Sequence, residues 1–341
     1  MSHLPERPRF AELARTSRLV PVYRRLFADS LTPLSAFARL DAGEAACLFE
    51  SVVGGENVGR YSFLAADPFL RLEARGTAVE VIGRDGTERL SCVDPLAELE
   101  RRMSAFRPAH LPELPPFTSG VVGCAAYDSV RYVERLPNPP ADDLGLPDLS
   151  FAFYDRMVVF DNVTKAIDVV VLARIDDESP AGIAHAYDEA CRRIDATIAR
   201  LSAPSDWPPP ADIGPRPDPY AEPAPLSITS RFSREAFLTA VDRSIEYIRA
   251  GDIFQVVLSR RMEVPFTGPA LEIYRTLRVV NPSPFMFYLR TPAYTLVGSS
   301  PEIMVRAVDG RVTVRPLAGT RKRGVTPEED RALAEDLLAD P

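Results

Sequence analysis

The chain of 341 residues is 46% apolar and 26% charged, a length that suggests about two globular domains and a balance that excludes a disordered or collagen-like chain. No run approaches the roughly 18 uncharged apolar residues a membrane helix needs, and the opening MSHLPERPRFAELARTSR carries arginines without an apolar leader region, so a cytoplasmic protein with no membrane partner is expected. Forty basic against 48 acidic side chains give a net charge of -8, which argues against a nucleic-acid partner because phosphate neutralisation needs clustered positive charge.

Residues 47 to 82 alternate apolar runs with glycine turns and read as strands and hairpins. A short helix is expected over 95 to 104. The stretch SFAFYDRMVVFDNVTKAIDVVVLARI reads as two apolar, β-branched runs around Asp161-Asn162, a pair that tolerates the left-handed backbone of a tight hairpin, with Lys165 solvated in or beside the turn. Ile183, Tyr187, Cys191, Ile194, Ile198 and Leu201 recur at spacings of three and four, which predicts a helix packed on a sheet. Residues 202 to 226 hold nine prolines in 25 positions without apolar periodicity, an extended connector.

Beyond it, Ser233 is expected to cap a helix with a stripe of Phe237, Val241, Ile245 and Ile248, ended by Gly251. GDIFQVVLSRR reads as a strand. A helix over about 269 to 280 should stop at Asn281-Pro282, because the proline ring disfavours helical geometry before it. PFMFYLR, AYTLVGSS, EIMVRAV and RVTVRPLAG follow as strands, the last two joined at Asp309-Gly310. Thr326, Pro327 and Glu329 open a final helix with a capping box. A meander of antiparallel strands beside helices predicts the α+β class. The expected organisation is an N-terminal regulatory or scaffold region (1–201), a proline-rich linker (202–226) and the start of a second domain (227–341). Only about 115 residues follow the linker, so a fragment with an unclosed last domain is expected.

The residues able to do chemistry are few. Lys165 and Lys322 are the only lysines, which restricts any lysine nucleophile to two candidates. The four cysteines are spread singly, suggesting free buried thiols rather than a disulfide framework or a zinc site, and the three histidines stand apart, none in the last 150 residues. Acid and base work in the second half therefore falls to carboxylates or amides. Glu302, in GSSPE, is either a general acid with a pKa raised by partial desolvation or a solvated turn residue. Ala318-Gly319-Thr320 before Arg321, Lys322 and Arg323 is either a carboxylate cradle or a solvated basic loop. Gln255 is either a packed amide or a ligand contact. Glu50 and Ser51, after Leu48-Phe49, are either structural strand-end residues or the holders of a small amphoteric ligand.

LFES, GGENVGRYSF, GDIFQVVLSRR, NPSPFMFYL, GSSPE and PLAGTRKRG, in this order from about Thr32 onward, together resemble the large, chorismate-using subunits of anthranilate synthases. GSSPE or GDIFQ alone would indicate only the wider chorismate-utilising group. The resemblance implies antiparallel sheets packed as a sandwich with helices outside, incomplete at the C-terminus. It also implies conversion of chorismate to anthranilate and pyruvate with ammonia from a glutamine amidotransferase partner, and magnesium on the substrate carboxylates. By the family's motif Glu302 is the acid that assists loss of the ring hydroxyl. Gly319 and Thr320 contact chorismate, Thr320 beside the reacting atoms, with Gln255, Ser300 and Ala318 in the same substrate site.

Isochorismate and salicylate synthases carry a water-activating lysine where this chain has Gln255, and an amide cannot serve as that base. Aminodeoxychorismate synthases often carry a lysine nucleophile at the position of Ala318, and alanine cannot attack. The first half resembles the feedback region, where L-tryptophan binds between Phe49, Glu50 and Ser51 and Pro284, Phe285 and Met286. Phe49 and Phe285 replace a frequent leucine and tyrosine, so inhibition is expected with altered strength. The family continues, past the position of Pro341, with a segment bearing histidine and a metal-ligating glutamate. The metal ligands are therefore expected beyond Pro341 and none in this chain, and the chain by itself is expected to be inactive. Two other readings stay open, the aminodeoxychorismate branch of the folate pathway and a non-catalytic tryptophan-binding regulator ending naturally at Pro341.

Overall fold

Apolar alternation and short turns build the first 200 residues into two antiparallel sheets, in a computed structural model that describes residues 2–27, 29–41, 43–51, 59–204, 227–314 and 319–340. Two compact units are distinguished, residues 1–205 with 273–341, and residues 206–272. In chain order the first 204 residues form α1 (Arg7–Leu13), β1 (Leu19–Phe27), α2 (Pro33–Leu40), β2 (Ala46–Glu50), β3 (Tyr61–Ala66), β4 (Leu70–Arg75), β5 (Ala78–Gly83), β6 (Gly86–Ser91), α3 (Pro95–Ser104), β7 (Gly120–Ala125), β8 (Leu149–Tyr154), β9 (Arg156–Asp161), β10 (Ala166–Arg174) and α4 (Pro180–Ser202). After the proline-rich segment come α5 (Arg234–Ala250), α6 (Ala270–Val280), β11 (Phe285–Arg290), β12 (Thr295–Ser300), β13 (Val305–Val308), β14 (Arg311–Val314) and α7 (Pro327–Ala339).

A seven-stranded sheet has the order β1-β10-β9-β3-β2-β11-β12, and a five-stranded sheet the order β6-β5-β4-β8-β7. They face each other across a core in which Cys47, Ala65, Met157, Val159 and Leu289 of the larger sheet meet Val122, Ala152 and Tyr154 of the smaller. This is the sandwich that sheets with one apolar face form to exclude water. α1, α2 and α4 pack on the far side of the larger sheet. Leu99 of α3 joins Leu72, Val79, Leu149 and Phe153 on the far side of the smaller. The class is α+β, with antiparallel pairing throughout both sheets and helices outside.

Local chemistry sets the helix ends. Asp94 accepts the amides of Leu96 and Ala97 to start α3, and Ser179 accepts that of Gly182 to start α4. In α4 Tyr187, Ile194 and Leu201 are buried as their spacing predicts, while Ile183, Cys191 and Ile198 lie half-buried at the margin. Gly251 ends α5 at φ 82°, a conformation glycine adopts without Cβ strain.

Several expectations are corrected. The apolar run SFAFYDRMVVF is not one strand but two, β8 and β9, divided at Asp155 and belonging to different sheets. In the β9–β10 turn the left-handed residue is Lys165, at φ 56°. Asp161 instead accepts the amides of Val163 and Thr164 and pairs with Arg60. GDIFQVVLSRR forms no strand; Phe254 is 91% exposed there, and a strand without a neighbour to complete its hydrogen bonds has no ladder to join. The stripe on α5 is likewise uncovered, with no residue of that helix buried. At α7 Thr326 accepts the Glu329 amide, but the Glu329 carboxylate returns to the amide of Val325, one residue before the usual capping-box position. Cys47 is buried, whereas Cys92, Cys124 and Cys191 are half-buried; all four are free. The connector expected over 202–226 begins inside the last turn of α4, and its residues 205–226 lie outside the described ones.

Candidate functional site

β2 and β11 pair in the middle of the larger sheet, with Phe49 opposite Phe287 and Glu50 opposite Met286. Phe49 packs on the core between the sheets, and strand alternation turns Glu50 to the other side, toward α6. A carboxylate that is 5% exposed at the end of an apolar strand requires partners. Tyr274 Oη donates to Glu50 Oε2 (2.8 Å) and Arg278 Nη2 to Oε1 (3.1 Å), with Arg278 Nε 3.0 Å from Oε2. Burial pushes the Glu50 carboxyl above its ordinary range, and Arg278 and the Tyr274 hydroxyl oppose that rise. Burial, reinforced by the charge of Glu50, raises the Tyr274 phenol, which keeps it a donor. Tyr274 is fully buried and packs edge-on against Tyr288 (5.9 Å between centroids), which packs in the same way on Phe37 of α2 (5.3 Å).

Among the described residues two hydroxyls close by in the chain are buried without hydrogen-bond partners, Ser51 Oγ just past β2 and Ser283 Oγ just before β11. Pro284, Phe285 and Met286 continue from Ser283 into the strand. Buried hydroxyls are ordinarily satisfied, so both are available to a ligand. Phe285 pairs with Ser300 on β12, which places the expected tryptophan-binding segment and one expected chorismate residue side by side in a single ladder. Ser300 Oγ donates to the carbonyl of Glu302, and Ser299 Oγ to that of Asn281 just after α6.

The other expected site residues are not gathered here. Glu302 is exposed, as the solvated-turn alternative for this residue has it, because the chain leaves the sheet at β12, its edge strand, before reaching Glu302. Gly319 (φ 84°) and Thr320 are exposed, and Ala318 lies outside the described residues. Gln255 is exposed in the irregular segment of residues 206–272. Among the described residues no three His, Cys, Asp or Glu side chains converge to hold a metal ion, so the residues present do not fit a magnesium site and none is assigned to one. Pro341, beyond which the metal ligands are expected, itself lies outside the described residues, the last of which is Asp340. A cleft of about 1460 Å³ opens elsewhere, lined among others by Phe69, Phe106, His185 and Arg193, and no expected site residue lines it. Its walls mix arginines with carboxylates.

Tyr274 and Arg278 were not among the residues picked out by sequence. Their signal is a spacing of four on a predicted helix, which puts a hydroxyl and a guanidinium on one face.

A family model described as chorismate binding enzyme matches residues 44–341. Anthranilate synthase component 1 of Acetivibrio thermocellus is 40% identical over 328 residues, 96% of this chain and 65% of that protein. The protein of the same name from Synechocystis sp. is 39% identical over 342 residues, 97% and 66% of the two chains. The crystal structure of anthranilate synthase component I from Streptococcus pneumoniae superimposes with a TM-score of 0.65 at 28% identity, covering 93% of this chain and 64% of that one. The chain thus spans about 65% of the length of such curated relatives.

Proposed function

Because the chain belongs to the chorismate-binding enzyme family, we propose that it is the large component of an anthranilate synthase, a lyase that turns chorismate and ammonia into anthranilate and pyruvate in the first committed step of tryptophan biosynthesis. The observation that carries this reading is identity of about 40% to component 1 proteins along 96% of the chain. A glutamine amidotransferase subunit supplies the ammonia, as the word component in those names suggests. The cytoplasm is the proposed location, in keeping with the absence, among the described residues, of any helix long and apolar enough to cross a membrane.

In this reading Glu302 gives a proton to the departing ring hydroxyl, which leaves as water while ammonia adds to the ring, and loss of pyruvate restores aromaticity. Ser300, Gly319, Thr320, Ala318 and Gln255 bind and orient chorismate. Magnesium would neutralise the substrate carboxylates in this reading. L-tryptophan binds as feedback inhibitor at the end of β2 and the start of β11, where Glu50 receives its ammonium group, the hydroxyls of Ser51 and Ser283 lack partners, and Phe49, Pro284, Phe285 and Met286 supply apolar surface.

The test is anthranilate fluorescence from the full-length protein with chorismate, magnesium and ammonium ions. Anthranilate with equimolar pyruvate is expected, suppressed by tryptophan and lost in Glu302→Gln. An aminated product that retains pyruvate would place the protein in the aminodeoxychorismate branch, and tryptophan binding without turnover would make it a regulator; either result overturns the proposal.

A further inference from the structure

Glu50 is an unusual candidate for binding an ammonium group, because it already has a cation. Arg278 lies against both carboxylate oxygens and Tyr274 donates to one of them. A carboxylate offers about four acceptor positions. Tyr274 and Arg278 take one on each oxygen and Arg278 Nε crowds Oε2, so Oε1 retains capacity for one more donor. Both partners are on one face of α6, four residues apart, and Tyr274 is itself locked between Glu50 and Tyr288. The carboxylate is therefore held by an element separate from its own strand.

We propose that Tyr274 and Arg278 are positioning residues for the effector site: they hold the Glu50 carboxylate in one orientation at the end of β2, with Oε1 open to the ammonium group of free tryptophan. This rests on the reading of Glu50 as an effector residue. Arg278 then has two tasks. It fixes the rotamer, and it keeps a buried carboxylate charged, since a lone buried carboxyl takes up a proton and presents a neutral group to the ligand. Tyr274 and Arg278, both from α6, are the titratable and charged groups that face Glu50, while β11 sets Met286 opposite it.

The proposal separates positioning from mere structure through pH. In Arg278→Met the Glu50 carboxyl loses the group that most opposes its rise, so at pH 7 a larger fraction is protonated. Raising the pH restores the carboxylate and with it the binding of tryptophan. We expect full-length Arg278→Met to bind tryptophan at least tenfold more weakly than wild type at pH 7 by titration calorimetry, with the deficit shrinking toward pH 9, and Arg278→Lys to recover part of the loss. Unchanged affinity in Arg278→Met, or a deficit that does not vary with pH, overturns the proposal. Should Arg278→Met fail to fold, Tyr274→Phe decides: a several-fold loss of affinity supports the inference and none overturns it. If wild type itself binds no tryptophan, the reading of the site falls and the inference with it; if wild type binds and Glu50→Gln does not, while Arg278→Met binds normally, only the inference falls.

Discussion

Glu98 on α3 is held by two arginines: Arg101 donates to both of its oxygens and Arg102 to Oε1, at 2.6 to 2.7 Å. The hydrogen bonds from Arg101, then those from Arg102, outweigh burial and hold its carboxyl down to about 2. Asp161 also stands near 2, because Arg60 and the amides of Val163 and Thr164 overcome the opposing effect of burial. Both folded pKa values are depressed, so their stabilisation is complete above the ordinary carboxylate range of about 4 and is lost as the pH falls toward 2. The denaturant midpoint should therefore decline between about pH 4.5 and pH 2, and Glu98→Gln should flatten part of that decline while costing about 2 kcal/mol at pH 7. A midpoint as steep in Glu98→Gln as in wild type would rule this pair out. Residues of this kind are legible only in part. Glu50 stood out through the word LFES, but Arg278 and Tyr274 did not, because what assigns them is a contact across 224 and 228 positions of sequence.

Elements with chemical start and stop signals were the most legible. α3 spans the expected 95 to 104 because Asp94 caps it and Pro95 suits its first turn. α6 ends before Pro282 for the steric reason given above. What failed was the inference from an apolar run to a strand. β8 and β9 are one run in sequence and two sheets in space, and GDIFQVVLSRR is apolar yet unpaired, since a strand is defined by a neighbour that the sequence does not name. The same distinction separates α4 from α5, which look alike as amphipathic patterns. Ile194 of α4 is fully buried and Ile248 of α5 is 43% exposed. Ile194→Ala should cost about 2 to 5 kcal/mol by creating a cavity, and Ile248→Ala under about 0.5 kcal/mol. Denaturant unfolding of the two variants measures both, and equal losses would mean that α5 is covered in the folded protein.

The central sheet draws its strands from both sides of the proline-rich segment: β11 and β12 complete it next to β2, although more than 200 positions separate β2 from β11. That closure could not be read from the sequence, where the linker was the clearest boundary. It carries a consequence for the molecule as a whole. A chain shortened to residues 1–204 keeps β1, β10, β9, β3 and β2 but loses the strand that covers the edge of β2, and it loses Leu289 from the core between the sheets. It also removes Tyr274 and Arg278 together with β11, so Glu50 loses its partners and its cover at once and its carboxylate ends at an open sheet edge. Ordinary domain stability is about 5 to 15 kcal/mol, so an unpaired central strand and a core opened at Leu289 consume much of it. The shortened chain should unfold in a broad transition and bind a hydrophobic dye, whereas a chain that also includes residues 227–300 should not. A sharp, single denaturant transition for residues 1–204 alone would show that β2 is stable as an edge strand, and Glu50→Gln in that same fragment would then be expected to leave its midpoint unchanged.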